Sequence, residues 1–249
     1  MNLESSPSPR YRLTALFLIA VVFAWLAPDF WLRSEIRLGS VGATYENSDL
    51  YQFVYPAYEY GFGQLRAGRV PLWNPTQRCG IPHQPDPRMG LFQPLNLVFL
   101  LFPTAEAMAL QACVCLFLMG AFFALFARAL GVRYVPALIG GIAYAFSGAA
   151  AGAMSRPELA SALAWSPFVF WAATEYTQRF RKSTAVVAGL GLGLLILSGS
   201  YAAGVAMLLV LAPFVLFGIL RPREAARISL PQRIAGLGIM IGVAVLVSA

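Results

Sequence analysis

Asp49 is the residue of this 249-residue chain best placed to do chemistry. It precedes a run, Tyr51, Val54, Tyr55, Tyr58, Phe62 and Leu65, whose aromatic and apolar members recur at helical spacing. A carboxylate at the start of a helix is kept ionised by the free backbone N–H groups and the macrodipole. An ionised acid there can act as a base. The same position also suits a plain helix cap, a role open to Asn47 and Ser48 as well. Glu46 either adds a second carboxylate for a divalent cation such as Mg or Mn or is a solvated loop residue. Arg66, Arg69, Arg78, Arg88 and Arg156 are available to neutralise an anion; snorkelling toward a membrane surface is the other use of such side chains. Cysteine and histidine offer no metal site, because Cys113 and Cys115 fall on different faces of a helix, Cys79 stands alone and His83 is the single histidine.

These residues must be held by elements that are overwhelmingly apolar. The chain is 59% apolar and 12% charged, with a mean hydropathy of +0.67, against roughly 45–50% and about 25% in soluble domains. Too few polar side chains remain to cover a soluble surface, so a soluble enzyme and a disordered chain are excluded. The expected fold class is all-α, a polytopic transmembrane helical bundle. The net charge of +7 comes from short Arg clusters between apolar runs, as in loops facing anionic lipid. It therefore reads as topology, and nucleic acid is not an expected partner.

A span takes about 20 apolar residues. After a cytoplasmic tail at 1–12, spans are expected at 13–31, 104–130, 136–154, 157–174, 184–198, 202–220 and 234–249. Thr104 reads as an N-cap with Glu106 in the first turn, and Gly131 as the glycine just past the helix end. Gly140, Gly141, Ser147 and the Gly148/Gly152 pair are small enough for neighbouring helices to approach closely, and Pro167 is expected to kink its helix. Residues 184–220 carry no charge over 37 positions. As one helix they would reach about 55 Å, so the chain must turn back, at Ser198-Gly199-Ser200-Tyr201. The last apolar run stops at Val247-Ser248-Ala249 without a closing charge, and the sequence is expected to be a fragment of a longer protein.

Eleven of the eighteen Lys and Arg residues fall in the tail and the alternate short connections that share its side, which puts the amino terminus in the cytoplasm. Residues 32–103 then form an extracytoplasmic loop containing Glu35, Glu46, Asp49, Glu59 and Asp86. Two interfacial helices are expected in it. The first starts at Asp49, turns its aromatic stripe to lipid, kinks at Pro56 and ends at Gly68 and Pro71; the second occupies residues 93–103. The stripe also fits an anchor with no catalytic role.

Five stretches carry a family resemblance: residues 47–56, from Asn47-Ser48-Asp49 to Tyr55-Pro56; Gly68-Arg69-Val70-Pro71-Leu72-Trp73-Asn74-Pro75; Cys79-Gly80-Ile81-Pro82; Phe92-Gln93-Pro94-Leu95-Asn96-Leu97; and Ala164-Trp165-Ser166-Pro167. In this order, and over roughly residues 13 to 220, the chain resembles the amino-terminal part of the bacterial YfhO family, multi-pass membrane proteins of the glycosyltransferase-C type. The resemblance implies transfer of a sugar from a polyprenyl-phosphate donor on the outer face of the cytoplasmic membrane. Membrane lipid and the lipid-linked donor are then the partners, and Asp49 is the general base. It further implies substrate contacts from Glu46, Tyr51, Arg66, Arg69, Trp73, Asn74 and Arg156. A non-catalytic membrane scaffold or lipid-binding subunit with the same fold is the alternative. A transporter fits less well, because the spans are nearly free of the intramembrane acids that line ion and substrate pathways.

Overall fold

A computed structural model describes residues 50–77, 79–83, 87–220 and 229–248. Asp49, Glu46, Arg78 and the expected first span at 13–31 lie outside the described residues. The described chain is helical throughout apart from loops and one small ladder, in which Trp73–Asn74 (β1) pairs antiparallel with Ile81–Pro82 (β2).

The chain enters through a wide π-type turn, Leu50–Val54, followed by α1 (Tyr55–Arg66). Pro56 explains the join. It has no N–H to give to the preceding turn, and its ring needs the space where the carbonyl of residue 52 would stand. The expected kink therefore takes the form of a widened turn ahead of a helix that starts at the proline. After α1 the backbone leaves through Gly68, whose φ of +72° is open to glycine.

The aromatic stripe of α1 does not face lipid. Leu50, Val54, Tyr58 and Phe62 are buried in one cluster with Met89, Leu91, Phe99, Ala107 and Met108. Phe62 stacks on Phe99 with centroids 4.9 Å apart, and Tyr58 meets the same ring edge-on at 5.0 Å. Helical spacing shows that a face is apolar and leaves open what covers it; here protein does. The second expected interfacial helix is a 3-10 turn, Pro94–Leu97, running into one α-turn, α2 (Val98–Leu101), whose Phe99 supplies that ring.

Six further helices follow: α3 (Thr104–Ala129), α4 (Tyr134–Ala145), α5 (Gly148–Ala153), α6 (Pro157–Arg179), α7 (Lys182–Leu197) and α8 (Tyr201–Leu220). Then comes α9 (Leu230–Ser248). Among the described residues, α3, α8 and residues 231–248 of α9 are long and apolar enough to cross a membrane, and α4 and α7 are shorter apolar helices. The protein is thus all-α with the helices of a membrane-associated chain. α8 leaves Val205, Leu209, Val210, Leu216 and Phe217 exposed, an apolar face suited to lipid.

Two local expectations are corrected. Thr104 makes no cap: Pro103 precedes the helix, and the Thr104 hydroxyl donates to a Glu59 carboxylate oxygen, docking α1 onto the start of α3. The expected span at 136–154 is two helices, because Ser147 opens a new one by accepting from the Ala150 N–H at 3.3 Å. Pro167 lies inside α6. It deprives the Leu163 carbonyl of its usual N–H partner, and the Tyr144 hydroxyl of α4 donates to that carbonyl at 3.0 Å instead.

α3 packs between α4 and α6, α6 against α7 and α8, and α7 against α9. Glycines set the closest approaches. Gly141 of α4 lies against the Gly120 carbonyl of α3 so tightly that a Cβ would strike the oxygen. On α7, a Cβ at Gly189 would stand 2.5 Å from the Met240 carbonyl, and one at Gly193 2.6 Å from Val247. The Gly148/Gly152 pair, by contrast, has nothing within 4 Å.

Candidate functional site

A cleft of about 570 Å³ opens beside the π-type turn, three residues along the chain from Asp49. Its walls come from three stretches: Gln52, Phe53, Val54 and Tyr58 of the turn and α1, Thr76, Gln77, Arg88 and Met89 of the loop, and Arg156 with Glu158 at the start of α6. The volume falls in the range of roughly 300–1,000 Å³ usual for small-molecule sites.

Each wall is fixed by bonds that the local sequence requires. A π-type turn leaves carbonyls without their regular partners, and the buried Gln77 amide donates to the Phe53 carbonyl at 2.9 Å. Gln77 is itself held by Asn74, whose side-chain oxygen also accepts from the Thr76 N–H at 2.9 Å and the Thr76 hydroxyl at 2.7 Å. This is the local Asn turn that lets a short polar side chain close a loop. On the opposite wall, the Arg88 guanidinium lies over the Phe53 ring, 4.6 Å from its centroid. The Arg88 carbonyl accepts from the Tyr58 hydroxyl at 3.3 Å.

The third wall is set by Gln111, buried in α3. Its amide group, with two hydrogens for three acceptors, reaches Asn96 Oδ1 at 2.7 Å, Ser161 Oγ at 3.0 Å and the Pro157 carbonyl at 3.3 Å. Asn96 passes the link on to the Gly90 carbonyl at 2.8 Å. One side chain therefore ties the start of α6, and with it Arg156 and Glu158, to the loop carrying Arg88. Leucine at position 111 leaves those acceptors buried without the amide. A loss of about 2 kcal/mol is expected for Gln111→Leu, read as a lowered thermal unfolding midpoint of the detergent-solubilised protein.

No family model, curated protein or solved structure matches this chain.

Among the described residues expected to bind substrate, Arg156 lines the cleft. Tyr51 lies in the adjoining turn. Arg66 is exposed in the last turn of α1, about 18 Å of helix from the end that borders the cleft, and Arg69 is exposed beyond it. Trp73 is half exposed, with its ring against Gly80 and its carbonyl accepting from the Tyr60 hydroxyl at 2.7 Å. Asn74 is fully buried and committed to the turn described above. Reading by sequence missed Glu158, Gln52, Thr76 and Gln77, none of which has a spacing that marks it.

Among the described residues, no three His, Cys, Asp or Glu side chains gather to hold a metal. The described walls present one carboxylate, Glu158, beside two guanidinium groups.

Proposed function

We propose that this chain is a membrane glycosyltransferase of the glycosyltransferase-C type, similar to the YfhO family. In this reading it is a polytopic bundle in the bacterial cytoplasmic membrane with its amino terminus inside. It moves a sugar from a polyprenyl-phosphate donor to an acceptor on the outer face. The observation that carries the reading is the cleft itself: a small-molecule cavity with two arginines in its walls, beginning at Gln52, beside long apolar helices. The chain supplies Asp49 immediately ahead of that turn.

Asp49 accepts the acceptor's hydroxyl proton as the new oxygen–carbon bond forms at the sugar's anomeric carbon. The bond from that carbon to the phosphate oxygen breaks, and polyprenyl phosphate leaves with the electron pair. The full chain reconstituted with a radiolabelled polyprenyl-phosphate hexose and a hydroxyl acceptor should convert the donor to polyprenyl phosphate and a labelled product. Absence of product across hexose donors would leave the non-catalytic scaffold as the reading.

A further inference from the structure

We propose that the end of α1 and the strand entering the β1/β2 hairpin form a membrane-surface anchor. Val70, Leu72 and Trp73 enter the headgroup boundary of the leaflet at the start of α3, and Arg66 and Arg69 meet the phosphates of anionic lipid beside them. The inference does not rest on the transferase reading, since a scaffold with this fold would carry the same surface.

Large apolar side chains scattered singly over a surface are ordinary, whereas a contiguous exposed group marks a contact. Val70 is 59% exposed, Leu72 62% and Trp73 54%, while Pro71 between them is buried. The backbone holds the three out. Leu72 gives its N–H to the Val70 carbonyl and accepts from the His83 N–H, both at 2.9 Å, and Trp73 pairs with Pro82 across the ladder. The Trp73 ring lies where a Cβ on Gly80 would stand, 2.7 Å from its nearest ring atom. The ring is thus braced against the hairpin while the residue stays half exposed.

The chain holds this patch near a bilayer surface. As a span, the 26 residues of α3 make about 39 Å of helix against roughly 30 Å of hydrocarbon, so Thr104 at its start stands at the headgroups. Thr104 donates to Glu59 of α1, and Tyr60, the next residue, donates to the Trp73 carbonyl at 2.7 Å. Two bonds in series therefore hang the hairpin from the end of a membrane helix. The aromatic stripe of α1 is turned to protein, which leaves the hairpin as the apolar surface this part of the loop offers.

Charge selects the occupant. Residues 60–85 contain three arginines and no acid, and Arg66 and Arg69 are exposed beside the patch. Tryptophan favours the boundary between hydrocarbon and headgroup, and arginine lays its stem on apolar surface with its head among phosphates. A second copy docked face to face would set these like charges against each other. Anionic lipid complements them.

The test uses the full chain in nanodiscs of phosphatidylcholine, with and without phosphatidylglycerol, sorted into discs holding one chain or two. A nitroxide on Leu72→Cys, with Cys79, Cys113 and Cys115 replaced by alanine, is read by power saturation against oxygen, which concentrates in lipid, and a neutral nickel chelate, which stays in water. Access to oxygen is expected to exceed access to the chelate by about threefold or more in phosphatidylglycerol discs. Arg66→Gln combined with Arg69→Gln should abolish the difference between the two lipids, and Arg133→Gln, exposed ahead of α4, should leave it intact. Backbone hydrogen exchange over residues 68–75 of the unaltered chain gives a reading independent of the cysteine background, and it should slow when phosphatidylglycerol is added. Chelate access equal to or above that of oxygen overturns the anchor, as does exchange that is the same in both lipids. Shielding from both reagents also overturns it: the patch then belongs to a protein contact, a second copy if the shielding is confined to discs holding two chains.

Discussion

Asp49→Asn is expected to slow sugar transfer by two to four orders of magnitude, the usual contribution of a positioned general base. The amide matches the carboxylate in size and can still cap a helix, so the folded protein and its affinity for polyprenyl phosphate should be unchanged. What is lost is the site that receives the proton as the acceptor oxygen attacks. The decisive measurement is single-turnover transfer with the donor saturating, which separates chemistry from binding. Activity within a fewfold of wild type would remove Asp49 from the mechanism and restore its other role, the helix cap. Asp49→Glu keeps the base and shifts its reach by one methylene, so a partial recovery there would confirm that the carboxylate itself is required.

The largest effect on stability is expected at Gly141. A Cβ at this position meets the backbone oxygen of Gly120 and stands 3.5 Å from the Ala124 Cβ. No rotamer change relieves a clash with backbone, so α3 and α4 must separate and release the contacts between them, among them the stacked rings of Phe123 and Tyr144 at 5.2 Å. Gly141→Leu should cost about 3 kcal/mol, the upper part of the range for overpacking. It would be followed by unfolding in mixed micelles of increasing SDS content. Gly148→Ala and Gly152→Ala provide the contrast, since nothing lies within 4 Å of either position. Both lie in a helix where alanine is favoured by up to about 1 kcal/mol, so neither should lower the midpoint.

That contrast shows where reading the sequence stops. Both glycine pairs, 148/152 and 189/193, have identical spacing, yet only the second meets another helix among the described residues, and its partner α9 lies some fifty residues downstream. Spacing identifies a surface that permits close approach and is silent about the partner. Helix ends were more legible because their causes are local. Gly131 and Gly199 stand just past helices at φ +95° and +82°, and the uncharged stretch at 184–220 is divided at Ser198–Ser200.

The break at Ser147 depended on a hydroxyl choosing to cap a helix rather than ride inside one, which hydrophobic pattern does not encode. The aromatic face of α1 was visible as a face, while its covering by Phe99, Ala107 and Met108 is tertiary. At the site, Arg156 was singled out and Arg88 was no more than one arginine of five, because the stacking on Phe53 and the bridge from Gln111 to Pro157 join residues 35 and 46 positions apart.

The three-part origin of the cleft has a consequence for biosynthesis. Gln52 to Val54, Tyr58, Thr76, Gln77, Arg88 and Met89 leave the ribosome long before Arg156 and Glu158. A nascent chain arrested between α4 and α6 already contains Asp49 and every loop residue of the cavity, but lacks its third wall and the acceptors of Gln111 on Pro157 and Ser161. Closure must wait until α6 has been delivered to the membrane and has docked on α3. During that interval the Gln111 amide is a polar group in an apolar helix, favouring capture of α6 as soon as it arrives. An arrest series with stops before and after α6 would therefore show protease protection of the loop appearing in one step, at the length that releases this helix.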